Sequence, residues 1–342
     1  PFDRATRSWA YRMAKNEGGI IGFGSTYRIH EPGALVFANA PFPVLEEEQQ
    51  PTPPVVIGEG YCRTPFAGRS LVNVSAMSFG AISRPAVLAL SRGAAAAGCW
   101  LDTGEGGLSP YHLDGGCDLI FQIGTAKYGV RDEHGQLSDQ RLRELAAQAS
   151  VRAFEIKLSQ GAKPGKGGVL LGTKVTAEIA QIRGIPEGRD SLSPNRHPDI
   201  ASVDQLLDRI EHVREVTGKP VGVKTAIGGE RFMRELTAAI ERRGLRSAPD
   251  FLTIDGGEGG SGAAPQALAD HMALSIDEAL PLVADALFAS GLQERTRLIA
   301  AGQLVTPARV AWALAAGADF VNTARGFMFS LGCIQALRCH SN

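Results

Sequence analysis

Residues 250–262 read DFLTIDGGEGGSG. A short apolar, β-branched run ends in an aspartate and opens at once into a turn holding five glycines. Run and turn together are the signature of a strand feeding a loop that lets backbone approach a ligand. The same grammar recurs outward in both directions. Candidate strands are Leu71–Ser75, Cys99–Asp102, Asp118–Ile123, Ala153–Leu158, Pro220–Lys224, Asp250–Ile254, Arg297–Ala301 and Asp319–Thr323. Helical windows lie between most of them, with start signals. Ser83 precedes Pro85, Thr306 precedes Pro307, and Ser202 with Gln205 reads as a capping box. Eight βα units over residues 71–342 predict an α/β fold, a (β/α)8 TIM barrel. An open doubly wound sheet fits less well, because no G-x-G-x-x-G comes after the first strand.

Residues 1–70 differ. They are rich in Pro, Gly and aromatics, with an apolar patch at Ala34–Phe37 and a Pro-rich connector at Gln50–Val55. They read as an N-terminal loop-rich extension packing on the barrel. About forty residues separate Leu158 from Ser202, including GAKPGKGG (161–168) and SPNRH (193–197). A loop of that length after a barrel strand predicts a lid or binding loop on the catalytic face.

The 342 residues are 44% hydrophobic and 21% charged, as expected of a soluble globular protein. The 35 basic and 36 acidic residues leave a net charge of -1, so no electrostatic case exists for nucleic acid or an anionic membrane. Five cysteines, an odd number without regular spacing, argue against a disulfide scaffold. No membrane segment or signal peptide is visible, and a cytoplasmic location is expected. The first residue is Pro, and the chain reads as part of something longer.

The catalytic face of such a barrel is built from the residues at and just past the C-terminal end of each strand. Around the ring these are Ser75-Ala76-Met77-Ser78, then Thr103–Gly107 with Glu105, then Gln122, Lys157, Lys224, Asp255–Gly262, Gly302 and Ala324-Arg325. Two lysines and an arginine at one mouth repel unless an anion lies between them. Glycines after the last three strands suit a phosphate, so Gly302 and Arg325 predict a phosphate cradle. His112, His134, His197, His212, His271 and His340 lack metal spacing and read as surface or loop residues. Cys62, Cys99 and Cys117 read as packing cysteines. Cys333 and Cys339 form a C-x5-C pair that is not a zinc pattern on its own.

Taken together, NVSAMSFGA (73–81), DTGEGG (102–107), KLSQGAKPGKGG (157–168), SPNRH (193–197), DGGEGGSGAAP (255–265) and LGCIQALRCH (331–340) resemble the FMN-binding synthase domain of glutamate synthase. The likeness runs from about residue 55 to the end, and its N-terminal part looks like the shorter, stand-alone proteins of that type. The resemblance implies an oxidoreductase that condenses 2-oxoglutarate with ammonia or a small amine. Reduced FMN then converts 2-iminoglutarate to L-glutamate, in glutamate and amino-acid biosynthesis. It implies electrons arriving through a [3Fe-4S] cluster from a ferredoxin or an NAD(P)H-linked subunit.

Carried onto this chain, the resemblance makes Lys224, Gln122, Glu105 and Lys157 the catalytic group. Lys157 and Lys163 would hold the substrate carboxylates, and Glu105 would face the arriving ammonia. Ser75, Ala76, Met77 and Ser78 would lie along the flavin ring, with Gln122 and Lys224 against it. Asp255, Gly256, Gly257, Gly302, Ala324 and Arg325 would hold the rest of the FMN, its phosphate above all. Cys333 and Cys339 would be cluster ligands. The family's third cysteine has no counterpart before Asn342, so an intact cluster is not expected in this chain. No glutaminase domain or N-terminal catalytic cysteine is present, so ammonia would come free or from a glutaminase partner.

Three alternatives carry less. An IMP-dehydrogenase-like barrel needs a loop cysteine that no strand end supplies. A 2-hydroxy-acid oxidase needs a histidine base at a strand end, and none is found. A flavin-binding electron-transfer or assembly subunit without amination activity is the reading from a different class.

Overall fold

The computed structural model describes residues 2–20, 22, 24–25, 36–262 and 264–336. In chain order the strands are β1 (Val55–Ile57), β2 (Phe66–Gly68), β3 (Val72–Val74), β4 (Trp100–Asp102), β5 (Asp118–Ile123), β6 (Val151–Lys157), β7 (Val169–Leu170), β8 (Ser191–Leu192), β9 (Val221–Thr225), β10 (Phe251–Asp255), β11 (Arg297–Ala301) and β12 (Phe320–Thr323). Eight of them, β3-β4-β5-β6-β9-β10-β11-β12, close into a parallel barrel. These are the eight strands expected from the sequence, each within two residues at either end. Barrel strands are buried on both faces, which is why they read as continuous apolar runs rather than alternating ones.

Helix starts follow the cap grammar. Ser83 accepts the Ala86 amide at 3.4 Å, and the helix Arg84–Ala97 ends at Gly98, whose φ of 69° a β-carbon would strain. Ser202 accepts the Gln205 amide at 3.3 Å, but Gln205 Oε1 takes the amide of Ala201 at 2.7 Å, one residue outside the reciprocal box.

Outside the strands, Leu90, Leu207, Ile240, Val283 and Leu287 seal the helices against the barrel. Inside, the N-terminal end is a dry aromatic layer of Trp100, Ile120, Phe251, Ile299 and Phe320. The antiparallel β1–β2 hairpin plugs it with Ile57 and Phe66. Trp100 meets Phe320 edge-on at 4.7 Å and Phe66 at 5.8 Å, a favoured aromatic geometry. Closing this end with hydrocarbon leaves the other end as the place for polar chemistry. Further upstream, the helix Arg4–Ala14 lies on the helix Arg325–Ser330, with Phe2 at 5.2 Å and Tyr11 at 6.3 Å from Phe329.

The long connection after β6 is structured. β7 and β8 pair as a two-stranded antiparallel ribbon around the helix Ala177–Arg183, which is capped by Thr176 and stopped by Gly184 in the left-handed region. Leu170, Val175, Ile179 and Ala180 dock it onto Phe79 and Tyr111. Arg183 donates to Phe79 O and Ser191 Oγ, both at 3.2 Å, fixing the excursion beside the loop after β3. Among the described residues no helix is long and apolar enough to cross a membrane.

Candidate functional site at the barrel mouth

Lys224, one residue before the end of β9, is buried, with Lys157 of β6 and Thr253 of β10 as its register partners. Burial opposes its charge. The carboxylates of Asp255, Glu155, Asp102 and Glu105 outweigh that and hold the ammonium above its ordinary range. A lysine charged inside a barrel is a fixed positive centre facing whatever occupies the mouth.

Beside it Lys157 Nζ lies 3.1 Å from Glu105 Oε1 and donates to Gln160 Oε1 at 2.7 Å. Burial works against the Glu105 carboxylate, but Lys157, Lys163 and Arg183 more than offset it and keep its pKa below the usual range. Lys163 is buried nearby and its pKa is lowered, by burial first and then by Lys157, while Glu105 resists the shift. Glu105, Lys157, Gly168, Pro194 and Asn195 help line a recess of about 10 Å³, room for about one water-sized molecule. Gly124 has no choice of side chain here, since a β-carbon on it would stand 2.6 Å from the Glu105 carboxylate.

Asp255 ends β10 and accepts the Gly161 amide at 2.9 Å, tying the loop after β6 to the loop after β10. The two backbones touch so closely that a β-carbon on Gly161 would come within 1.7 Å of Gly256 O. Arg325 opens the helix after β12, donates to Glu258 O at 2.8 Å and stacks 4.6 Å over the Phe2 ring. Burial lowers its pKa, against the pull of Asp255 and Glu258. Ser75 comes directly after β3 and donates its amide to Thr323 O, so Ser75, Ala76, Met77 and Ser78 run along the mouth between β3 and the Gly104 turn.

The structure thus brings Ser75–Ser78, Glu105, Gln122, Lys157, Lys163, Lys224, Asp255, Gly302, Ala324 and Arg325 to one end of the barrel. It treats two glycines differently from the phosphate-cradle expectation. The Gly256 amide donates to Ala301 O at 2.8 Å and that of Gly257 to Leu274 O at 2.7 Å. Both donors are spent inside the protein. Cys333 sits at the start of the short helix Cys333–Ala336, beside Ala10, Val305 and Phe329. Cys339 lies outside the described residues, and among those described no three His, Cys, Asp or Glu side chains are placed to hold a metal.

His112, in the helix Pro110–Asp114, corrects the surface-or-loop reading, and His197 lies in a loop as expected but is buried. His112 is 1% exposed and His197 3%, and burial pulls both down to about 4. His197 Nε2 bonds to Lys157 O at 3.0 Å, so a histidine does approach the end of β6, with that ring nitrogen committed to backbone.

Sequence reasoning missed the layer beneath the mouth. Glu155, in the middle of β6 and fully buried, accepts from Gln122 Nε2 at 2.6 Å and from Thr253 Oγ1 at 2.5 Å. Asp102 of β4 hydrogen-bonds to Glu155, and its own Oδ1 accepts the Gly104 amide at 2.8 Å. Gln122 Oε1 is buried with no protein partner. The available signal was an acidic residue at the end of the apolar run WLD and another between apolar neighbours in AFEIK.

The profile of the conserved region in glutamate synthase matches residues 37–342. A glutamate synthase large subunit-like protein of Bacillus subtilis, YerD, is 40% identical over an alignment covering 100% of this chain and 72% of that protein. An archaeal-type glutamate synthase [NADPH] of a Thermotoga species is 37% identical over 79% of this chain, which spans 50% of its length. Among solved structures, a lactate oxidase of Pediococcus acidilactici overlays with a TM-score of 0.50 at 17% identity, covering 84% of this chain and 70% of that one. At that identity the overlay speaks for the barrel alone. The matched region and the 40% relative settle the lineage: this chain belongs to the glutamate synthase family.

Proposed function

We propose that the chain is an FMN-dependent oxidoreductase that reductively aminates 2-oxoglutarate, through 2-iminoglutarate, to L-glutamate. The observation that carries the reading is the pairing of an unpartnered buried acceptor, Gln122 Oε1, with the charged Lys224 at the same mouth. A buried acceptor without a donor costs about 1–3 kcal/mol, and a ligand N–H removes that cost. The isoalloxazine ring offers an N–H edge beside oxygens that become anionic on reduction. Gln122 and Lys224 suit the two, and Arg325 with Gly302 suits the phosphate. Bound there, FMN would supply hydride to C2 of the imine.

The chain's own residues would do the rest. Ser75, Ala76, Met77 and Ser78 line one side of the ring site. Lys157 and Lys163 bind the carboxylates of the oxo acid. Glu105 stays ionised and accepts N–H bonds from ammonia in the recess beside Lys157, which is of ammonia's size. Asp255 and Ala324 shape the cofactor loops. Among the described residues no [3Fe-4S] site is assembled. Its ligands under this proposal include Cys333 and Cys339, with a ferredoxin or NAD(P)H-linked subunit as electron donor and a glutaminase partner as one source of ammonia.

A second reading, as a flavin electron carrier, needs only Lys224 and the unpartnered Gln122 Oε1. The Lys157→Ala variant separates them. Amination predicts that flavin stays bound while the 2-oxoglutarate concentration needed for half-maximal turnover rises at least tenfold. Loss of flavin would move Lys157 to the cofactor site.

A further inference from the structure

Gln122 can present either end of its amide to the mouth, and the two ends recognise opposite partners. Which end faces out is decided beneath it. Glu155 has no N–H to give, so the Gln122 group within 2.6 Å of Glu155 Oε1 is the amide nitrogen, and the oxygen is left buried without a protein partner. Glu155 Oε2 meanwhile meets the Thr253 hydroxyl at 2.5 Å, and Asp102 adds a third contact from β4. Two carboxyls in contact inside a barrel cannot both be charged at reasonable cost, and one proton between them turns repulsion into a hydrogen bond. The surroundings choose where it sits. Glu155 is the acceptor for both an amide N–H and a hydroxyl, while Asp102 has one bond, from the Gly104 amide. Burial, and then the Glu155 charge, push Asp102 well above the usual carboxylate range, and Lys224 only partly counters them. Two further carboxylates act on Lys224, Asp255 strongly and Glu105 weakly, and Glu105 has its own ion pair with Lys157 at 3.1 Å.

We propose that Glu155 is a positioning residue which, with a proton held on Asp102, locks the Gln122 amide so that its oxygen faces the site as an acceptor and selects a ligand ring bearing an N–H. This rests on the flavin reading and extends it by naming the ring edge that is read, the single N–H of the oxidised isoalloxazine, at position 3. The lock is costless to the ligand, because the orientation is set before binding.

The test is a binding titration on the whole protein freed of flavin, with FMN and with 3-deaza-FMN, in which that N–H is replaced by C–H. The wild type is expected to prefer FMN by about tenfold or more, the equivalent of one buried hydrogen bond. In Glu155→Gln the new amide can donate to Gln122 Oε1 and turn it round, so the preference should fall to about threefold or less. Infrared difference spectra of the flavin-free wild type at neutral pH should show a protonated-carboxyl band that is missing in Asp102→Asn. Tight FMN binding with no discrimination against 3-deaza-FMN would overturn the lock and leave the flavin site standing. No binding of either analogue would overturn the flavin reading. A carboxyl band that survives in Asp102→Asn, or is absent from the wild type, would remove the proton from Asp102. Should Glu155→Gln not fold, the wild-type preference and the infrared band still decide.

Discussion

A charge inside a barrel persists only while its partners do, and Lys224 is the clearest case. Removing it leaves the Asp255 and Glu155 carboxylates without their shared cation, the costly way to break a buried pair. Lys224→Met should therefore lose about 3–5 kcal/mol in urea unfolding at pH 7.5. The deficit against wild type should shrink as pH falls toward the ordinary carboxylate range. Asp102 already has a raised folded pKa, so its protonated form is favoured in the native state and stability is lost as pH rises. The two buried histidines act in the opposite sense. Their folded pKa is about 4 against 6.5 when free, so the unfolded chain binds more protons between those values. The stability that the two histidines contribute should be full above pH 6.5 and fall on acidification toward pH 4, by roughly 3 kcal/mol for each histidine at the limit. A urea midpoint unchanged between pH 7 and pH 4.5 would contradict that. Strand-end residues such as Lys157 and Lys224 were legible in the sequence, because a barrel prescribes where they point. Glu155 and Asp102 were not, since strands buried on both faces carry no alternation to say which side chains look inward. His112 was misplaced and the burial of His197 went unseen because polar neighbours in sequence do not reveal burial made by a distant segment.

At the scale of elements, the molecule has one dry end and one polar end, and different pieces guard each. Phe66 on the β1–β2 hairpin seals the dry end against Trp100. Phe66→Ala should cost about 3–5 kcal/mol in stability while FMN affinity of the folded fraction is unchanged. The polar end depends on the excursion between β6 and the helix Val203–Thr217. Its contact with the β10 loop at Gly161 leaves no room for a β-carbon. Gly161→Ala is expected to pull the two loops apart, weakening FMN binding by about tenfold with a smaller loss of stability than Phe66→Ala. Equal effects on both readouts would argue that the loop contact serves stability alone. The barrel strands were readable as elements, and so was the anomalous length of this connection. Its ribbon and helix were not, because two-residue strands leave no period, and their pairing is set by docking on Phe79 and Tyr111.

For the whole molecule, the count of eight βα units was enough to anticipate the barrel, and the ring of polar strand ends was enough to propose where its active face lies. Family membership then narrows the chemistry without fixing it, since this chain spans half the length of the archaeal-type synthases and 72% of YerD. What the mouth displays is a matched set. It has a charged lysine, an acceptor lacking a donor, an ionised glutamate beside a water-sized recess, and two further lysines, Lys157 and Lys163. Reductive amination uses every member of that set, and electron carriage uses only the first two. The most direct test is anaerobic: reduce the flavin of the purified full-length protein, then add 2-oxoglutarate and ammonia singly and together while following the flavin absorbance. Reoxidation is predicted only when both are present, with L-glutamate formed in equal amount to the flavin reoxidised. A flavin that stays reduced in the presence of both would contradict reductive amination at this mouth.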